Sequence, residues 1–158
     1  MDKLILGEAV RTLDERYRIS IPPELMDLLD AASGQCILAK ERPGCLSLWN
    51  ANRWQDRLSG EIGLIEQKVV ARRLDARLDE VQRLGRLLST RHRPVQLAGR
   101  GRLVLPEGFR EFLSVEPGAT IIITGAAVCI ELWHPMQWQQ HIGEEMPTFR
   151  RLLDTLVG

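Results

Sequence analysis

The segment Arg16-Tyr17-Arg18-Ile19-Ser20-Ile21-Pro22 returns 84 positions later as Arg100-Gly101-Arg102-Leu103-Val104-Leu105-Pro106. The same offset carries Leu29 to Leu113, Gly34 to Gly118, Ile37 to Ile121, Cys45 to Cys129, Leu48-Trp49 to Leu132-Trp133 and Trp54-Gln55 to Trp138-Gln139, with no gap. A duplication of this kind constrains the fold more than any other sequence signal, because both copies must adopt the same local structure. A unit of about 45 residues is too small to bury a sufficient core alone. The expectation is that the two copies fold against each other into one β-rich body.

Each copy reads alike. Alternation at Ile19 and Ile21, and at Leu103 and Leu105, predicts a short strand stopped by Pro22 or Pro106, since proline cannot donate to a ladder. A short helix follows, its apolar face made by Leu25, Leu28 and Leu29 or by Phe109, Phe112 and Leu113. Next come a strand (36–39 or 120–123), a turn at Arg42-Pro43-Gly44 or Gly125-Ala126, and a strand ending at Trp49 or Trp133. Between the copies, Val70, Leu74, Leu78, Val81, Leu84 and Leu88 recur every three or four residues, which predicts an amphipathic helix over 62–88, broken once. A terminal helix around Phe149, Leu152, Leu153 and Leu156 follows Pro147. The expected boundaries are a first half at 1–56, a helical linker at 57–92, a second half at 93–140 and a C-terminal helix at 141–158.

An apolar fraction of 44% suits a globular chain. The first residues, Met1 to Gly7, turn polar too soon for a secretory signal, and no apolar run approaches the roughly 20 residues of a membrane helix, so a cytoplasmic location is expected. Cys36, Cys45 and Cys129 form no Cys-x-x-Cys pair and read as buried core thiols. His92, His134 and His141 lack zinc-site spacing, and no metal or other cofactor is expected. Trp49, Trp54, Trp133 and Trp138 read as packing residues. No nucleophile with a base, no carboxylate pair and no phosphate-cradling glycine loop appears, so neither an enzyme nor a small-molecule substrate is expected.

The formal net charge is zero, which argues against bulk electrostatic coating of nucleic acid but leaves room for a local basic patch. Between Glu66 and Arg93, basic residues outnumber acidic ones. These linker arginines read equally well as a solvated face and as a contact surface.

Asp14-Glu15-Arg16-Tyr17-Arg18-Ile19-Ser20-Ile21-Pro22 resembles the signature of the MraZ family of bacterial transcription regulators, Asp-x-x-x-Arg before an apolar-x-apolar-Pro strand in each half. The linker stretches Ala71-Arg72-Arg73-Leu74 and Arg83 to Ser89 are similar as well, so the likeness covers nearly the whole chain. The resemblance implies an α+β, β-rich fold. Its two halves, of the SpoVT-AbrB type, would form a pseudo-two-fold double-psi, swapped-hairpin, AbrB-like β-barrel, with a helical linker and a C-terminal helix. It implies binding to double-stranded DNA at promoter repeats, control of division and cell-wall genes, a ring-like homo-oligomer and association with the nucleoid.

The residues matched to DNA binding are Arg16, Arg18, Arg100 and Arg102, with Asp14 orienting the first pair by a charge-assisted hydrogen bond. If the segment is extended, arginines at alternate positions point to one side, where guanidinium forks suit phosphate or guanine edges. Two departures stand out. Ala98 occupies the place of the second acid, so the second copy is expected to bind more weakly, and Tyr17 stands where many members have glycine. Tyr17 either disturbs a tight turn or stacks on a sugar or base. The alternative function is an AbrB-like protein-interaction module, antitoxin-like or degenerate, without specific DNA binding.

Overall fold

The computed structural model describes residues 3–31 and 34–158; Met1 and Asp2, at the head of the segment weighed as a leader, and Ala32 and Ser33 lie outside the described residues. The first copy contributes β1 (Glu8–Thr12), β2 (Arg18–Ser20), α1 (Pro23–Leu29), β3 (Gln35–Arg42) and β4 (Cys45–Asn50). Two helices, α2 (Ala51–Val70) and α3 (Leu78–Arg91), separated by a 3-10 turn at Asp75–Arg77, lead to the second copy. That copy supplies β5 (His92–Gln96), β6 (Arg102–Val104), α4 (Glu107–Leu113), β7 (Thr120–Gly125) and β8 (Ile130–Trp133), and the chain ends in α5 (Pro135–Glu145) and α6 (Phe149–Val157).

Like pairs with like across a pseudo-two-fold axis. In the antiparallel ribbon β2–β6, Ile19 faces Leu103, and in β4–β8, Ser47 faces Glu131; both are equivalent positions of the repeat. This is the isologous geometry of a symmetric dimer, realised within one chain. The outer strands are exchanged: β1 of the first copy pairs with β7 of the second, and β5, its counterpart, pairs with β3 of the first. The resulting sheet runs β1-β7-β8-β4-β3-β5, antiparallel at every pair.

The sheet is open, which corrects the expected closed barrel. Strands β1 and β5 are its two edges, each with one partner, and β2 and β6 pair only with each other. At three residues each, halted by Pro22 and Pro106, those two strands are too short to extend the ladder to either edge.

Side chains alternate across the sheet. Leu38, Leu46, Leu48, Ile121, Ile123, Ile130 and Leu132 point to one face, where Ile19, Ile21, Leu103 and Leu105 from the ribbon and Leu25, Leu29, Phe109 and Leu113 from α1 and α4 join them in one buried cluster drawn from both copies. On the other face Trp54 of α2 packs on Trp49 and Trp138 of α5 packs on Trp133, both with ring centroids 5.5 Å apart. The helices start from equivalent caps: Asn50 Oδ1 accepts from the Asn52 and Arg53 amides, and His134 Nδ1 accepts from the Met136 amide. All three thiols are buried, which raises the Cys36 pKa to about 11 and that of Cys129 to about 12.

The gap-free alignment needs two corrections. Lys40 faces Leu46 and Arg42 faces Cys45, so Glu41 is an extra residue bulged out of β3, with no counterpart in β7. Between Gly34 and the bulge the equivalence slips by one, whereas the helices Pro23–Leu29 and Glu107–Leu113 keep the original offset, so the connection before Gly34 is one residue shorter than its counterpart. Cys36 and Leu38, rather than Ile37 and Ala39, take the inward places of Ile121 and Ile123. Gly34 likewise matches Ala119 and not Gly118, since Leu97 N donates to Gly34 O and its counterpart Leu13 N donates to Ala119 O.

The linker helix, expected over 62–88 with one break, is two helices spanning 51–70 and 78–91, and Arg72 adopts a left-handed φ of 60° beyond the end of α2. No residue of α3 or α6 is buried, and Phe149, Leu156 and Val157 are exposed on α6. Among the described residues no helix is long and apolar enough to cross a membrane. Because the core spans both copies, Leu103→Ala should cost about 2–5 kcal/mol. Urea unfolding followed by tryptophan fluorescence and by circular dichroism should give one superimposed transition; two separated transitions would mean that the halves unfold independently.

Candidate nucleic-acid interface

The Asp14 carboxylate builds the turn that precedes β2. Its Oδ1 accepts from the amides of Arg16 (2.9 Å) and Arg18 (2.8 Å), and its Oδ2 accepts from Arg18 Nε at 2.7 Å. Asp14 N donates to Arg18 O, and Tyr17 N donates to Asp14 O, both at 3.0 Å. Donation from the Arg18 amide is the main reason that the Asp14 pKa lies below its ordinary value, followed among the lowering effects by the Arg18 side chain and the Arg16 amide. The expectation that Asp14 orients Arg18 matches this geometry. Among the described residues, Asp14 reaches Arg16 through its amide and not its side chain.

Tyr17 sits at φ 60°, the left-handed conformation that costs a non-glycine residue roughly 1–2 kcal/mol. Two contacts hold it there. Its carbonyl accepts from Leu105 N at 2.9 Å, and its ring lies under the Arg110 guanidinium, whose Cζ is 3.6 Å from the ring centroid. A cation–π contact of this kind contributes about 0.5–2 kcal/mol, enough to offset much of the strain. The turn is therefore intact, and the ring is engaged by the other copy.

The second turn is built differently. Ala98 and Arg102 exchange backbone hydrogen bonds at 2.9 Å in both directions, so a carbonyl accepts the Arg102 amide where Asp14 uses its side chain. Gly101, equivalent to Tyr17, has φ 96°, and its carbonyl accepts from Ile21 N at 2.8 Å. A Cβ there would come within 2.9 Å of Met26 Cγ and 3.1 Å of Ile21 O, so a side chain at the place where the first copy carries tyrosine would have to displace Met26.

Of the four arginines, only Arg18 and Arg102 lie on strands; Arg16 and Arg100 lie in the turns. The assumption of an extended stretch with paired arginines on one side is thus corrected, because the left-handed residue between them reverses the backbone. On the ribbon, Arg18 faces Val104 and Arg102 faces Ser20, with Ile19 and Leu103 turned into the core between them. The two arginines are diagonal neighbours on the outward face, roughly 7–8 Å apart by strand geometry. Arg16 and Arg100 flank opposite ends of the ribbon. Among the described residues, the guanidinium groups of Arg16, Arg100 and Arg102 have no hydrogen-bond or ion-pair partner, whereas Arg18 is held by Asp14.

A two-stranded ribbon with outward guanidinium groups, that of Arg18 braced by Asp14, has the shape that a DNA major groove admits, and the chemistry that phosphates and guanine edges accept. Elsewhere, Arg72 and Arg77 are paired with Asp75 and Glu80. Among the described residues no cluster of His, Cys, Asp or Glu could hold a metal ion. Sequence reasoning missed Arg110. Its signal was available in the repeat, where Tyr17 with Arg110 in one copy replaces Gly101 with Met26 in the other.

Fold and site define an internally duplicated α+β protein that carries an arginine-bearing β-ribbon on its pseudo-two-fold axis. A family model described as "MraZ protein, putative antitoxin-like" matches residues 91–155. The chain is 30% identical over 146 residues to the transcriptional regulator MraZ of Shewanella violacea, covering 91% of this chain and 88% of that protein. It is 25% identical over 154 residues to that of Syntrophomonas wolfei (98% and 97% covered) and 28% identical over 133 residues to that of Thioalkalivibrio sulfidiphilus (84% and 81% covered). The chain belongs to the MraZ family.

Proposed function

We propose that the chain regulates transcription, as its relatives are named for doing, by binding double-stranded DNA through the β2–β6 ribbon and its two turns. The observation that carries this reading is the ribbon itself: Arg18 and Arg102 stand on its outward face, flanked by Arg16 and Arg100, whose guanidinium groups have no partner among the described residues. In this reading the carboxylate-braced Arg18 reads a base edge, and Arg16, Arg100 and Arg102 supply phosphate contacts. The targets are promoter repeats of division and cell-wall genes, in the nucleoid of the cytoplasm. The two halves act as one unit on the DNA.

Fluorescence anisotropy with a duplex from upstream of the chain's own gene tests this. Wild type should saturate, with affinity falling as salt rises. Arg16→Ala/Arg18→Ala should lose at least about tenfold, since one good base contact is worth about 1–3 kcal/mol. Arg100→Ala/Arg102→Ala should lose less, because no carboxylate braces that turn. Unchanged affinity in both folded double mutants would refute the ribbon as the interface.

A neutral chain gains specific binding from several copies acting together, and the exposed apolar side chains of α6 support self-association, which the family resemblance makes ring-like. Light scattering coupled to size exclusion should find oligomer at micromolar concentration; monomer alone would remove this part. Ala98, together with the antitoxin-like description of the family model, favours a second reading as a protein-interaction module. Absence of DNA retention at low salt, with stoichiometric capture of a partner protein, is the result that would select it.

A further inference from the structure

The contact between Tyr17 and Arg110 joins the DNA-facing turn of one copy to a helix of the other. We propose that Arg110 is a positioning residue for the first turn, acting through the Tyr17 ring, and that this makes the two halves of the ribbon unequal. The inference rests on the DNA reading above and deepens it.

Three observations carry it. Arg110 engages the turn from two sides: its guanidinium covers the Tyr17 ring at 3.6 Å, and its Nη1 donates at 3.3 Å to the carbonyl of Leu105, whose amide in turn holds the Tyr17 carbonyl. Tyr17 immediately precedes Arg18, so the left-handed φ fixed by this clamp sets the direction in which Arg18 leaves the turn. The equivalent place in the second copy has Gly101 and Met26, with neither a ring nor a cation to lock it.

Arg110 is badly placed to meet phosphate itself. Glu107, Glu111 and Glu116 line the shallow cleft that it shares with Tyr17, and these carboxylates repel a polyanion. The stack therefore holds the ring against α4, on an acidic side of the molecule, and leaves base contacts to Arg18. A cation that acts through a ring on a neighbouring arginine should change affinity without changing the number of phosphates neutralised.

The test is a double-mutant cycle in DNA affinity, read by anisotropy at several salt concentrations with wild type, Arg110→Met, Arg110→Lys, Tyr17→Gly and Tyr17→Gly/Arg110→Met. Arg110→Met imports the residue of the other copy, and thermal melts confirm that each variant is folded. The expected result is a loss of about fivefold for Arg110→Met, the size of one stacking contact, with the salt slope unchanged. Arg110→Lys should recover most of the loss, and Arg110→Met should add nothing in the Tyr17→Gly background. Because Tyr17 is the one tyrosine of the chain, its ring resonances should also move on Arg110→Met in the free protein.

Wild-type affinity in Arg110→Met, additive losses in the cycle, or a salt slope reduced by about one would overturn the proposal, the last by making Arg110 a phosphate contact. Absence of binding by wild type would instead defeat the DNA reading, and the positioning role with it.

Discussion

Ile19 against Leu103, and Ser47 against Glu131, are the same places of one unit meeting each other, and the rest of the structure hangs on that symmetry. Each copy has a hairpin that lacks a flanking strand, and each lends its first strand to the other: β1 to β7, β5 to β3. An isolated copy would leave these edges unpaired and half of the core cluster without neighbours. The exchange makes the core common to both copies, and the β2–β6 ribbon, paired outside the six-stranded sheet, lies on the axis between them.

From that placement the chemistry of the interface follows. The ribbon turns Ile19 and Leu103 inward, so Arg18, Ser20, Arg102 and Val104 must face outward. Symmetry puts an arginine on each strand and a turn at each end. The copies have then diverged in how those turns are held. One uses the Asp14 carboxylate and the Tyr17 ring beneath Arg110; the other uses backbone hydrogen bonds and glycines. Equivalent geometry with unequal bracing gives the proposed DNA-binding face two unequal ends.

Much of this was legible in the residues. The repeat located β2, β3 and β4 with their counterparts β6, β7 and β8, the prolines the ends of β2 and β6, and the tryptophans were legible as packing residues, because each rests on a local rule that tertiary contacts reinforce. The exchanged strands β1 and β5 and the helix α5 carried no such signal and were not read from the sequence. The bulge at Glu41 was not legible. Residues 36–39 are apolar at every position, so no alternation marks the inward face, and two registers fit the sequence equally well. The turn misled for another reason. Tyrosine gives no warning of a left-handed φ, so Arg16 and Arg18 looked like neighbours on one strand face. Closure of the sheet depends on strand length and pairing partners, which the family likeness did not supply. Arg110 escaped notice because its role lies in a contact between copies and not in any motif.

The proposed DNA-binding face is the ribbon between the two halves. Amide hydrogen exchange with and without a promoter duplex tests that most directly. Slowed exchange confined to 14–20 and 98–104 is the predicted result, with the first segment the more protected; protection of α2, α3 or the tryptophan face instead, with the ribbon unchanged, would contradict it.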